Sequence, residues 1–462
     1  MQKAVYIVAE RKSGFFVKVK NGENFIRRDT WRILRIKICL QRLYCGATPF
    51  LVMFQSFGDL ENKLYGSRLA KPETALLASA SQKPGGSLNV NRESAAAKVL
   101  ADVMERTGHP MILFAAPAEP YRTVMDFLAA RAASGAKASG KPPAITPDDS
   151  ETRCFLGKIP VVRRFSAEAA ATGLAGASCV IVENKGILAV DGSSGKAGLA
   201  GLYTRFSAAC FAVFVTFFKD FLADSRDGRL SPGSRKAFSR AAAHLPPAPA
   251  FGGGLATGPF ETPKAARSAM AEAGKRLVST GMVDACFGNI SWRIGDTLHI
   301  SRSGSFLDAL EHNIASCTLD DPECAGERPS SEYPAHATIV ESASVRGVLH
   351  GHPLFSVIVS MDCTLECDLR GSGLCHRHCP HPRRAAGVSI VSGEVGGGPY
   401  GLCRTVPACV LADGAAVVYG HGVFTAAERD FNEALFRMAA IENDCRREYF
   451  RRAEAASAIE GN

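Results

Sequence analysis

The chain of 462 residues lacks a hydrophobic run long enough to span a bilayer. Its most apolar stretch, Phe206–Phe218, lies between Arg205 and Lys219 and falls short of the ~20 residues a membrane helix needs. We read it as the middle of a buried helix over Leu199–Ala223, with no membrane span. An apolar leader followed by a small-residue cleavage site is also missing, which points to a reducing cytoplasm. Cysteine is sparse: 15 residues, an odd number, spread too thinly for a disulfide scaffold. Charge of one sign is lacking over most of the chain. The net +9 sits almost entirely in residues 1–50, so charge gives the main body no claim on nucleic acid. With 46% hydrophobic and 21% charged residues, what remains is an ordinary globular chain, long enough for two or three domains.

Composition divides it into four stretches. Residues 1–60 are a basic extension, read as disordered or as the product of a misassigned start. Its run from Arg27 to Lys37 mixes basic and apolar positions, as a membrane or nucleic-acid arm would. Residues 61–230 read as one α/β domain, with helices over Ser94–Arg106 and Tyr121–Ala133 and a strand at Pro110–Ala115. A loop is expected over Ser134–Pro147. Residues 231–261 form a Pro/Gly-rich linker. Residues 262–462 form a second domain. Its first helix opens with Thr262 as N-cap and Pro263 at N1 and closes at Gly281. Its last helix begins near Asp430, with Glu433 as capping-box partner.

Chemistry concentrates in the second domain. In Val348-Leu349-His350-Gly351-His352-Pro353 the two histidines are two apart, so on a strand both imidazoles share a face. A third histidine stands between glycines in Tyr419-Gly420-His421-Gly422. Three histidines and an open position are the pattern of a catalytic zinc site. Pro329-Ser330-Ser331-Glu332-Tyr333 offers Glu332 as a general base, with Ser331 as an N-cap or anion donor. Phe287-Gly288-Asn289-Ile290-Ser291 and Ser301-Arg302-Ser303-Gly304 are small polar turns able to cradle a phosphate through backbone N–H groups.

In this order, the segments 288–291, 303–304, 330–332, 350–352 and 421–422 resemble the class II aldolase/adducin family over about 262–455. The resemblance implies a three-layer α/β/α sandwich around a mostly antiparallel sheet. It implies one zinc ion held by His350, His352 and His421, with Glu332 as acid/base. It also implies a substrate phosphate held by Gly288, Asn289, Ser303, Gly304, Ser330 and Ser331. The implied reaction is retro-aldol cleavage of a ketose 1-phosphate to dihydroxyacetone phosphate and an aldehyde, through a zinc-stabilised enediolate. Burial is expected to raise the Glu332 pKa and the metal to moderate that rise. A pentulose-phosphate 4-epimerase or a dehydratase would use the same site, and an adducin-like scaffold would use none of it. The partner is a small phosphorylated sugar, and a homo-oligomer is expected.

The first domain aligns with the second as a tandem copy. Ile112–Pro117 falls on Val348–Pro353 and Glu183–Ile187 on Tyr419–Val423, and the spacing from Phe114 to Lys185 equals that from His350 to His421. Phe114, Ala116 and Lys185 then replace the three histidines, and Ala96 stands for Glu332, so this copy is expected to hold no metal there. One departure from the family pattern is the cluster Cys363, Cys367, Cys375 and Cys379, with His376, His378 and His381 among them. It suggests a second metal site or a set of free thiols.

Overall fold

The computed structural model describes residues 5–8, 16–19, 53–81, 88–251, 254–320, 324–342, 344–369 and 372–459. The chain divides into units 1–48 and 49–462. In the first, β1 (Val5–Val8) and β2 (Phe16–Val19) pair antiparallel with Val5 opposite Val19. The Arg27–Lys37 run lies outside the described residues.

The second unit opens with α1 (Phe57–Gly66), held by a reciprocal cap. Ser56 Oγ accepts from the Asp59 N–H at 3.2 Å, and the Asp59 carboxylate accepts from the Ser56 N–H at 2.9 Å. Leu60 and Leu64 are buried, so the boundary expected at residue 60 falls inside a helix of the main body. There follow β3 (Leu76–Ser79), β4 (Asn89–Val90), α2 (Ala95–Thr107), β5 (Met111–Ala115), α3 (Tyr121–Ser139), β6 (Ala144–Ile145) and α4 (Ser150–Leu156). Then come β7 (Ile159–Val162), α5 (Ala167–Leu174), β8 (Cys179–Val182), β9 (Gly186–Asp191), α6 (Gly195–Arg226) and α7 (Pro232–Ala242).

Two expectations change here. The loop expected from Ser134 begins as the last turns of α3, because alanines carry the helix on until Gly140, at φ +68°, closes it. The segment expected to be linker contains α7, because Ser231 caps it through the Ser234 N–H at 3.0 Å and Pro232 occupies its first turn.

The rest is α8 (Pro263–Ser279), β10 (Asn289–Ile294), β11 (Thr297–Ser301), β12 (Ile314–Thr318), α9 (Tyr333–Val340), β13 (Gly347–Gly351) and α10 (Leu354–Met361). It ends with β14 (Arg383–Ala385), β15 (Val388–Val391), α11 (Leu402–Asp413), β16 (Ala415–Val418), β17 (Gly422–Ala427) and α12 (Phe431–Ile459). Thr262 and Pro263 open α8 as expected. Asp430 accepts from the Asn432 N–H at the start of α12, but Glu433 turns away to Arg437, so no capping box forms there.

The described fold of the second unit is α/β with two sheets. Their orders are β4-β3-β5-β9-β8-β7-β6 and β12-β11-β10-β13-β17-β16-β15-β14. Apart from the extra edge strand β12, order and direction agree throughout. Each sheet has a single parallel pairing, β7 with β8 and β15 with β16. Register agrees too: Phe114 lies opposite Leu188, and His350 opposite Phe424. Alternation along the strands sends Ile112 and Leu188 toward α2 and α5, and Leu113 and Ala189 toward the inner core.

That inner core is shared by both sheets. The expectation that no run is long enough to span a bilayer is corrected here: among the described helices, α6 extends beyond Leu199–Ala223 and is long and apolar enough by length and composition, although most of it is buried. It packs Phe214 and Phe218 against Phe355 of α10, at 6.1 and 5.9 Å between ring centres. Phe218 also meets Tyr449 of α12, whose hydroxyl donates to the Phe218 carbonyl at 2.9 Å. Each such ring pair adds about 0.5–1.5 kcal/mol beyond burial.

α10 leads directly away from His352, and its N-terminus is held by a buried carboxylate. Glu442 of α12 accepts from the N–H groups of Phe355 and Ser356 and from the Ser356 hydroxyl, at 2.9, 2.8 and 2.7 Å. Burial pushes the Glu442 carboxyl up to about 7, against these hydrogen bonds and the Arg446 charge that favour its anion. A carboxyl raised in the fold stabilises it below the ordinary value of 4.5 and loses that contribution as pH climbs through 7. The loss amounts to about 3 kcal/mol. Thermal melts between about pH 4 and pH 8 should therefore drop more for the wild type than for Glu442→Gln. Equal drops would clear Glu442 of this role.

Candidate metal centre

β13 ends on His350 and Gly351, and His352 follows before Pro353 turns the chain into α10. β17 pairs with β13, and His421 sits in the turn before it, after Gly420 at φ +59°. Gly422 allows this meeting. A Cβ there would lie 2.3 Å from the Gly351 carbonyl oxygen and 2.8 and 2.9 Å from the rings of His350 and His352. The structure thus brings His350, His352 and His421 together, buried, with one nitrogen of each within 4.8 Å of the others. His350 Nε2 and His352 Nε2 are 2.9 Å apart.

Glu332 completes the cluster. Its Oε2 lies 3.3 Å from His350 Nε2 and its Oε1 3.1 Å from His421 Nε2. Asn289, at the start of β10, donates to Oε2 at 2.6 Å. Glu332 itself is the N-cap of α9, which displaces the expected cap at Ser331; Ser331 is exposed. The reason is local: Ser330 turns inward and accepts from the Glu332 N–H at 3.3 Å, fixing the chain one residue later.

Burial alone would raise the Glu332 carboxyl, as the sequence led us to expect. Instead the His350 and His421 imidazoles and the Asn289 amide outweigh burial and hold it well below the usual carboxylate range. Burial takes His350 down to about 4, and takes His352 well below its ordinary value with help from the neighbouring imidazoles. His421 moves the other way. Burial opposes its charge, but Glu332, Glu151 and Asp149 prevail and push it up to about 8.

The expected phosphate turns are laced together. Ile290 N–H donates to Ser301 Oγ at 3.2 Å, Ser330 N–H to the Ser301 carbonyl at 2.9 Å, and Ser303 N–H to the Arg328 carbonyl at 3.1 Å. Gly288 takes φ +79°, where a Cβ would lie 2.7 Å from the His350 carbonyl oxygen. Asn289 and Ser330 are buried beside Glu332, whereas Ser303 is exposed and Gly304 half-buried. Asn289 Oδ1 is buried with no hydrogen-bond partner among the described residues, an acceptor open to a ligand. The cysteines behave differently. Among the described residues, the histidine triad is the group with metal-binding geometry. Cys363, Cys367, Cys375 and Cys379 are free and half-buried. Burial and the neighbouring cysteines raise the Cys375 thiol.

Two groups near the centre have no role assigned from the sequence, although His336 follows Glu332 by four residues. His336 is buried one turn after Glu332, its Nδ1 2.7 Å from Ser291 Oγ. Glu151 of α4 lies 3.3 Å from His421 Nδ1. No local pattern marks Glu151, because its partner stands in the other half of the chain.

A family model described as Class II Aldolase and Adducin N-terminal domain matches residues 268–449, which span every residue of this centre except Glu151. Over this stretch the chain matches the class II aldolase/adducin family. The matched aldolase/adducin stretch starts within α8 and ends within α12. No curated protein matches the chain. Among solved structures it is similar to an l-fuculose-1-phosphate aldolase from Thermus thermophilus, at 20% identity, with 40% of this chain and 93% of that one covered and a TM-score of 0.32. It is also similar to YgbL of Klebsiella pneumoniae, a putative aldolase/epimerase/decarboxylase, at 20% identity, 40% and 89% coverage and a TM-score of 0.33. A sugar-phosphate aldolase from Thermotoga maritima matches at 16% identity, 43% and 96% coverage and a TM-score of 0.28.

The donor set of the aldolase/adducin domain suits a borderline-soft divalent ion. Three buried imidazoles converge with a carboxylate beside them, and imidazole is a ligand that zinc favours.

Proposed function

We propose that residues 262–462 form a zinc-dependent carbon–carbon lyase acting on a phosphorylated ketose. The observation that carries this reading is the convergence of His350, His352 and His421 on one buried point beside Glu332. The three histidines would hold the ion. A zinc ion there supplies Lewis acidity for the negative charge that develops as the carbon–carbon bond breaks.

The chain's own residues do the rest. Glu332 is ionised at neutral pH and is placed to accept a proton. Its basicity is held down by donors that include His350 and His421. Once those nitrogens serve as ligands they no longer donate to Glu332, and Asn289 remains as its donor. Asn289 fixes its orientation. Asn289 Oδ1 offers an acceptor to a substrate hydroxyl. The turns at 288–291, 301–304 and 328–331, joined by backbone hydrogen bonds, would position a phosphate without taking part in the chemistry.

We further propose that residues 61–230 are a tandem copy of the same fold from which the ligands have gone. Shared strand order and register support this, and so do two backbone details. A Cβ on Gly186 would lie 2.3 Å from the Ala115 carbonyl oxygen, the same approach that Gly422 makes to Gly351. Asn184 takes φ +56° where Gly420 takes +59°.

Full-length protein purified without chelator should contain about one zinc per chain by elemental analysis and should cleave a ketose 1-phosphate. Zinc-free protein that gains no activity on zinc addition would overturn the lyase reading.

A further inference from the structure

Each ligand histidine turns one ring nitrogen to the centre and can anchor the other elsewhere. His350 directs Nδ1 to the Val423 carbonyl, 3.1 Å away on the neighbouring strand. His421 Nδ1 lies 3.3 Å from Glu151 Oε2, and Glu151 comes from α4, in the half without ligands. α4 is capped within itself and held there by two contacts. Ser150 donates its N–H and its hydroxyl to the Gly420 carbonyl, at 2.7 and 3.0 Å. Asp149, fully buried, caps the helix by accepting from the Thr152 N–H at 2.7 Å and from the Thr152 hydroxyl. Phe155 packs edge-on against Phe287 at 5.6 Å, and Phe287 stacks on the His352 ring at 5.9 Å. The helix that carries Glu151 is thus seated against the turn of one ligand and, through Phe287, the ring of another.

We propose that Glu151 is a positioning residue of the metal centre, holding His421 as its Nδ1–H tautomer so that Nε2 presents its lone pair to the ion. This rests on the zinc reading above. A neutral imidazole has one N–H, and a carboxylate at Nδ1 keeps the proton there. Carboxylates beside ligand histidines fix ring orientation and raise ligand basicity in the same way. The half that carries Phe114, Ala116 and Lys185 in place of ligands therefore completes the centre of the other half.

The test measures zinc affinity of the full chain by chelator competition, for wild type, Glu151→Ala, Glu151→Gln and the control Lys185→Ala. Glu151→Ala is expected to weaken zinc binding ~10–100-fold. Glu151→Gln keeps an acceptor oxygen and the side-chain shape, and is expected to recover part of that loss. Lys185→Ala is expected to match the wild type. Cobalt-substituted protein should show a shifted visible band in Glu151→Ala, which a purely structural role for Glu151 would not produce. Wild-type affinity in both Glu151 variants would overturn the positioning role and leave the zinc reading intact. A wild-type protein that binds no zinc would overturn that reading first.

Discussion

Zinc in the His350→Ala/His352→Ala variant is expected to fall below detection while the wild type retains its ion. The two imidazoles leave from one strand end, their Nε2 atoms are 2.9 Å apart, and only His421 would remain as a nitrogen ligand. Loss of an outer partner alone weakens zinc by ~10–100-fold, and two direct ligands should weaken it far more. Elemental analysis of both proteins, prepared side by side without chelator, reads the result. Undiminished zinc in the variant would place the ion elsewhere, and the cysteine cluster at 363–379 is where we would look first. Two metals in the wild type and one in the variant would make that cluster a separate site.

Glu332→Gln should separate metal binding from turnover. The amide keeps the volume and an oxygen facing Asn289, but it cannot take up a proton. Zinc content should be unchanged within error. Cleavage of a ketose 1-phosphate should slow by ~10²–10⁴, the range a positioned acid/base contributes. Loss of zinc in this variant would instead make Glu332 a ligand, and wild-type turnover would remove it from the chemistry. The buried carboxylate meets His350 Nε2 and His421 Nε2 at 3.3 and 3.1 Å, so both possibilities are within reach of the side chain and the measurement decides between them.

The sequence showed the histidines because strand geometry makes them visible. His350 and His352 obey the two-residue period, and the glycines around His421 announce a tight approach. The family resemblance implied the mostly antiparallel sheet, and matched spacings suggested the tandem copy. The sequence did not show Glu151, whose contact with His421 depends on how two halves pack rather than on any local spacing. It misplaced the cap of α9, because Ser330 and Ser331 are equivalent as residue types and only the inward turn of Ser330 selects Glu332. It also misjudged the charge of Glu332. Burial was legible from the apolar neighbours, but the two imidazoles that overrule it, one on a strand and one in a turn, lie 18 and 89 positions away. The thiol cluster is the converse case. Its spacing suggested a ligand set, but the described sulfurs are not gathered into one.

The matched register of β5 and β9 with β13 and β17 has a use in protein engineering. Phe114, Ala116 and Lys185 occupy the same places along their strands and turn as the three histidines do along theirs, and Gly186 already makes the close approach that Gly422 makes. The first sheet is therefore a blank with its mounting points in place. Three substitutions there would reproduce the ligand types, with β13, β17 and the turn at His421 as the internal reference for strand register.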